Sequence, residues 1–129
     1  MSKSLIRIEA PASAHPGATV EALVIIRNVD RGAWTLRVDG WAPDQTEANH
    51  LLQGSEYLWP STDWTKTIDF VMPNAGAEIF IWVEYYLGGG EWNYDTSLLR
   101  KVMLLAEYGD AEFQGLSCSY SKTEDEFAR

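Results

Sequence analysis

Between Glu78 and Leu87 the chain alternates without interruption, Ile79, Ile81, Val83 and Tyr85 falling on one side and Phe80, Trp82, Glu84 and Tyr86 on the other. Successive side chains of a strand point to opposite faces, so branched and aromatic residues in this order predict a strand with apolar character on both sides. Gly88-Gly89-Gly90 follows, three residues that take positive φ without strain, and Glu91-Trp92-Asn93-Tyr94 begins a returning strand. That strand is expected to break at Asp95 to Ser97 and resume from Leu98 to about Ala106. A hairpin of this kind is unstable alone and needs a second apolar surface.

The rest of the chain supplies one. Leu5 to Glu9 reads as a short strand, and Ala18 to Asn28 as a central one, with Val20, Ala22, Val24 and Ile26 opposed to Thr19, Glu21, Leu23 and Ile25. Trp34, Leu36 and Val38 alternate with Thr35, Arg37 and Asp39, and Ile68 and Phe70 with Thr67 and Asp69. Between Gly40 and Asp63 the pattern fades into a long connection with a helical turn over Thr46 to Leu52, Thr46 as its cap, and a short edge strand near Tyr57–Trp59. Turn residues recur at roughly 8–12-residue intervals and no long amphipathic helix occurs, which predicts an all-β fold: an immunoglobulin-like, two-sheet antiparallel β-sandwich of about seven strands. A small closed barrel is the alternative. The sandwich is assigned to residues 1–108. Residues 109–129, acidic and dotted with Phe113, Tyr120 and Phe127, are assigned to a C-terminal tail or an arm that orders on a neighbouring subunit.

Charge and cysteine content narrow the partners. With 10 Lys+Arg against 19 Asp+Glu, a net charge of −9, and basic residues scattered along the chain, no footprint for nucleic acid or anionic lipid is present. No apolar run approaches the roughly 18 residues of a membrane-spanning helix, and the start of the chain lacks the apolar stretch of a secretory signal. The lone Cys118 closes no intrachain disulfide.

Pro16-Gly17-Ala18-Thr19-Val20, leading into a strand that ends Ile26-Arg27-Asn28, resembles the second-strand signature of immunoglobulin-like modules of the CARDB and fibronectin type III kind. Ile68-Asp69-Phe70-Val71-Met72-Pro73-Asn74, the aromatic strand to Tyr85-Tyr86, and Gly89-Gly90-Glu91-Trp92-Asn93-Tyr94-Asp95 resemble a variant with a Phe-x-Met-Pro strand end before a Gly-rich, Trp-containing hairpin. The resemblance spans most of Leu5 to Leu105; the chain departs from it in having no tandem copy and in its acidic tail. It implies a spacer, an adhesin, or a component of a virion or surface array. A module of extracellular style with neither signal nor disulfide fits a virion component, made in a cytoplasm and working outside it.

Chemistry is thinly represented. His15 and His50 stand apart without the partners zinc requires. Glu91, Asn93 and Asp95 alternate on one side of the hairpin, with Asp30 or Asp63 as further oxygen donors, short of the six to eight that calcium takes. Asp39, Asp69 and Glu84 form no marked carboxylate pair, no Gly-x-Ser-x-Gly phrase occurs, and the glycine triplet precedes a strand rather than a helix. No catalytic group, cofactor or metal is therefore assigned. The aromatics carry more information, since six Trp and six Tyr are too many for one small core. Trp34 fits the space between the sheets. Phe80, Trp82 and Tyr86, with Trp92, Trp59 and Trp64, are assigned to a partner-binding surface, together with Phe113 and Tyr120 of the tail. The partner expected is protein, a second copy or a larger assembly; stacking on sugar rings makes a glycan the alternative, and the chain's own tail a third way of covering the surface.

Overall fold

The computed structural model describes residues 2–105. Eight strands occupy them: β1 (Ser4–Glu9), β2 (Ser13–Ala14), β3 (Thr19–Asn28), β4 (Trp34–Trp41), β5 (His50–Leu58), β6 (Asp63–Val71), β7 (Ala77–Gly88) and β8 (Glu91–Leu104). They form a three-stranded sheet in the order β1-β3-β6 and a five-stranded sheet in the order β2-β8-β7-β4-β5. Every longer pair is antiparallel, and the two-residue β2, the strand beyond the expected seven, runs parallel to β8.

The inner faces follow from the alternation. Val20, Ala22, Val24 and Ile26 of β3, with Ile68 and Phe70 of β6, join Leu36 and Val38 of β4, Ile79, Ile81 and Val83 of β7, and Val102 of β8 in one buried cluster. Each Val, Leu, Ile or Phe side chain so removed from water contributes about 1.5–3 kcal/mol. The two-sided apolar strand is thereby resolved, since Ile79, Ile81 and Val83 lie within the core and Phe80, Trp82 and Glu84 on the outer face. Gly88, Gly89 and Gly90 hold φ of 96°, 65° and 83°, conformations that a side chain would strain.

Three expectations are corrected. The region 50–58 is a full nine-residue strand rather than a long connection with a short piece near Tyr57, and it pairs with β4 throughout, its register shifting once, at Leu51, between Gly40 and Trp41. Its alternation is concealed because only Leu52 and Leu58 are buried, while Gly54 and Glu56 occupy the intervening positions on the same side. The helical turn shrinks to a 3-10 turn, Glu47–Asn49, where the Thr46 hydroxyl donates to Asp44 instead of capping. The break expected at Asp95 to Ser97 is a bulge within continuous β8: Val83 faces Thr96 and Glu84 faces Tyr94, leaving Asp95 as the additional residue.

That residue closes the sandwich. Lys3 and Ser4 donate their backbone N–H groups to the Asp95 carboxylate at 2.7 and 2.8 Å, and the Ser4 hydroxyl also donates to it. Farther along the seam the Arg100 guanidinium donates to the carbonyls of Ile8 and Ala10 at 2.9 and 2.7 Å. Removing the carboxylate in Asp95→Ala strands two part-buried amides and should cost about 1–2 kcal/mol. Urea unfolding reads the loss, and amide exchange should accelerate first along β1.

Candidate binding face

The outer face of the five-stranded sheet is built by alternate residues on four strands, the alternation stepping by one at the bulges of β5 and β8. Cross-strand register sets Leu99, Phe80, Trp41 and His50 in one row, then Ser97, Trp82, Asp39 and Gln53, then Tyr94, Glu84, Arg37 and Ser55. Trp92 faces Tyr86, and Thr35 faces Tyr57. Rings therefore adjoin from strand to strand. His50 stacks on Trp41 with centroids 4.7 Å apart, Trp41 lies 5.8 Å from Phe80, Phe80 6.3 Å from Trp82, and Trp82 4.5 Å from Tyr94. Tyr86 and Trp92 make a second cluster at 5.0 Å. Aromatic neighbours at such separations are held as a surface rather than as independent side chains.

Polar groups on this face are matched to one another. Arg37 donates from Nε to Oε1 of Glu84 at 2.9 Å, and its guanidinium lies 4.3 Å from the centre of the Trp92 ring. His50 Nε2 is 3.0 Å from Oδ1 of Asp39. Both pairs sit among half-buried rings, where the effective dielectric is below that of water.

The expected residues are distributed unequally. Phe80, Trp82, Tyr86 and Trp92 share the face. Trp59 is 63% exposed in the turn after β5, edge-on to Tyr57 at 5.7 Å. Trp64 belongs to the other sheet and packs inward against the core, with the Lys66 ammonium 5.6 Å from its ring. Phe113, Tyr120 and the acidic arm lie outside the described residues, as does Cys118. Trp41, His50, Arg37, Asp39 and Tyr94 were not assigned to the surface from sequence; the parity of Arg37, Asp39 and Trp41 on β4 is the signal that would have placed three of them. Trp34 is partly buried at the core's end, its Nε1 donating to Asp30 at 2.7 Å and its ring edge-on to Tyr85 at 5.2 Å.

The oxygen donors do not converge. Asp95 is taken up by β1, Asn93 donates from Nδ2 to the Tyr85 hydroxyl at 3.0 Å, and Asp30 accepts from Arg31, Trp34 and Lys3. The Arg31 amide and then the Trp34 indole hold the Asp30 carboxyl below its ordinary range. Asn49 and Thr46 do the same for Asp44. Among the described residues no group of three or more His, Cys, Asp and Glu is placed to hold a metal ion.

No protein-family model matches the chain, and no curated protein matches it. Solved structures do. A chain of the complex between Zinc 2-glycoprotein and prolactin inducible protein from human seminal plasma superposes with a TM-score of 0.60 at 12% identity, over 78% of this chain and 94% of that one. The CARDB domain of the PF1109 protein from Pyrococcus furiosus, solved in complex with di-metal ions, superposes with a TM-score of 0.58 at 11% identity, over 82% of this chain and 96% of that one. The fold is immunoglobulin-like. Nearly the whole of each of those chains is matched, 94% and 96%.

Proposed function

We propose that this immunoglobulin-like module is a non-enzymatic interaction domain whose partner, a protein within a larger assembly such as a virion or surface array, docks on the outer face of the five-stranded sheet. The observation that carries this reading is the aromatic carpet on a face that has no second layer among the described residues. Sheet faces turned to water are ordinarily polar. Tryptophan, tyrosine and arginine are what the centres of protein interfaces are made of. Because Arg37 is paired with Glu84 and the Asp39 carboxylate lies 3.0 Å from His50 Nε2, the charged groups of the face already have polar partners when a partner covers it. The structural neighbours support the same direction: one is a chain of a protein–protein complex.

A selection from a displayed library of protein fragments, with the full chain as bait, tests this. Binders to the face should lose at least about 30-fold in affinity with Trp82→Ala, the loss of about 2 kcal/mol that marks a hot spot, while circular dichroism stays unchanged. Binders indifferent to both Trp82→Ala and Trp92→Ala would remove the face from consideration. A second reading has its own support in the alternation of rings with the Asp39, Glu84, Gln53 and Ser55 side chains, an arrangement able to stack on a sugar and bond its hydroxyls. Under that reading tryptophan fluorescence responds to a polysaccharide and the response disappears in Trp92→Ala; a flat response across a broad glycan panel excludes it.

A further inference from the structure

We infer that β5 is a pairing edge through which two copies of this chain join their five-stranded sheets antiparallel about a twofold axis at Gly54. This does not depend on what the aromatic face binds. The two sheets have four edges, β1, β6, β2 and β5. Unpaired edges template further pairing, and folded proteins guard them with charge, proline or brevity. Three of the four are guarded: β1 carries Arg7 and Glu9 in an ion pair and is bound along β8, β6 carries Asp63, Lys66 and Asp69, and β2 has two residues. β5 is the least guarded of the four, with a bulge at Leu51 near its start as its one irregularity. Nine residues long, it contains no Lys, Arg or Pro and one carboxylate, Glu56, and among the described residues no strand lies on its far side.

The sequence of β5 is also complementary to itself. With Gly54 on the axis, Gln53 faces Ser55 of the second copy, Leu52 faces Glu56, and Leu51 faces Tyr57. Leu51 and Tyr57 are the exposed large apolar side chains of the strand, at 43% and 55%, and each covers the other across the junction. The two Glu56 positions are four residues apart along the strands, about 13 Å, beyond the Debye length of about 8 Å at physiological salt. Directly opposed residues share a face, so the two aromatic carpets lie side by side and point the same way, giving a partner two contacts per dimer.

The experiment is sedimentation of the full chain up to about 1 mM, beside two charge variants, Gln53→Glu with Ser55→Glu and Gln53→Lys with Ser55→Lys. Both altered positions are exposed, and circular dichroism checks that each variant folds. The wild-type chain should dimerise with concentration, each charge variant should dimerise at least about tenfold more weakly, and an equimolar mixture of the two should recover the dimer, because opposite charges then face across the axis. A wild-type chain that stays monomeric over the range overturns the inference. So do charge variants that dimerise as the wild type does, and a mixture that recovers nothing.

Discussion

Asn28→Asp is expected to be the most damaging single isosteric change in this domain. Asn28 is fully buried at the end of β3, and its side-chain N–H groups donate to the carbonyls of Gly32 at 3.0 Å and Leu58 at 2.9 Å, while its oxygen accepts from the Asp30 amide at 2.9 Å. Its backbone amide donates to Thr62 and its carbonyl accepts from Ser61. One residue thus ties the β3–β4 loop, the end of β5 and the β5–β6 turn together. Aspartate replaces the two donors by an oxygen turned toward two carbonyl oxygens. Ionised, it is a buried charge facing acceptors; protonated, it offers one donor for two. The cost should be about 3–5 kcal/mol, a fall in melting temperature of roughly 15 °C or more. The sign of the pH dependence is fixed as well. Burial raises the folded-state pKa of the new carboxyl, so the deficit relative to wild type is smallest below about pH 4, where the unfolded chain is protonated too, and grows as pH rises through the folded value. Urea unfolding of both chains at acid and neutral pH measures it; equal deficits at the two pH values would show that the site admits water to the charge.

Gly40→Ala should be nearly as harmful for an unrelated reason. Gly40 faces inward from β4, and a Cβ there would lie 2.9 Å from Cδ1 of Ile81, 3.0 Å from Cδ1 of Ile68 and 3.0 Å from Cβ of Leu52. Alanine ordinarily improves on glycine in a strand, yet overfilling a packed core costs about 1–3 kcal/mol. Ile81→Val deletes the methyl group that collides first, and alone should cost about 0.5–1.5 kcal/mol. The double variant is expected to be less damaged than the two losses added together, whereas simple additivity would mean that the backbone, not Ile81, moves aside.

Much of the sandwich is legible in the chain itself, because β3, β4, β7 and the second half of β6 bury every second residue and alternation is what burial of one face looks like. β5 escapes because Gly54 and Glu56 take the inner positions between Leu52 and Leu58, so the period-two signal is absent although the strand is there. The bulge at Asp95 reads as a loop since an acid beside Thr96 and Ser97 is ordinary loop composition; its purpose lies in amides 91 and 92 residues away. The role of Asn28 was visible only as the end of a strand. For the candidate face the rings of β7 and β8 stand out by type, but Trp41, His50, Arg37 and Asp39 join them through register, which composition does not encode. Trp64 errs in the other direction: an aromatic in a strand of mixed character gives no indication of which face it takes, and its neighbour Ile26 draws it inward.

The clasp between Asp95 and the start of β1 also sets a schedule for synthesis. The three-stranded sheet is complete as a sequence once Val71 has been made, but the strands that cover its apolar side from β7 onward, and the carboxylate that fastens its first edge, come later. At about 5–20 residues per second, the stretch from there to Leu104 takes roughly 2–7 s to translate. Through that interval Val20, Val24 and Ile68 wait for Ile79, Ile81 and Val83, and β1 has its partner on one side alone. A nascent chain that stalls before Asp95 holds an unlatched half-sandwich, which makes this short window the time at which the protein most needs shielding from its own copies.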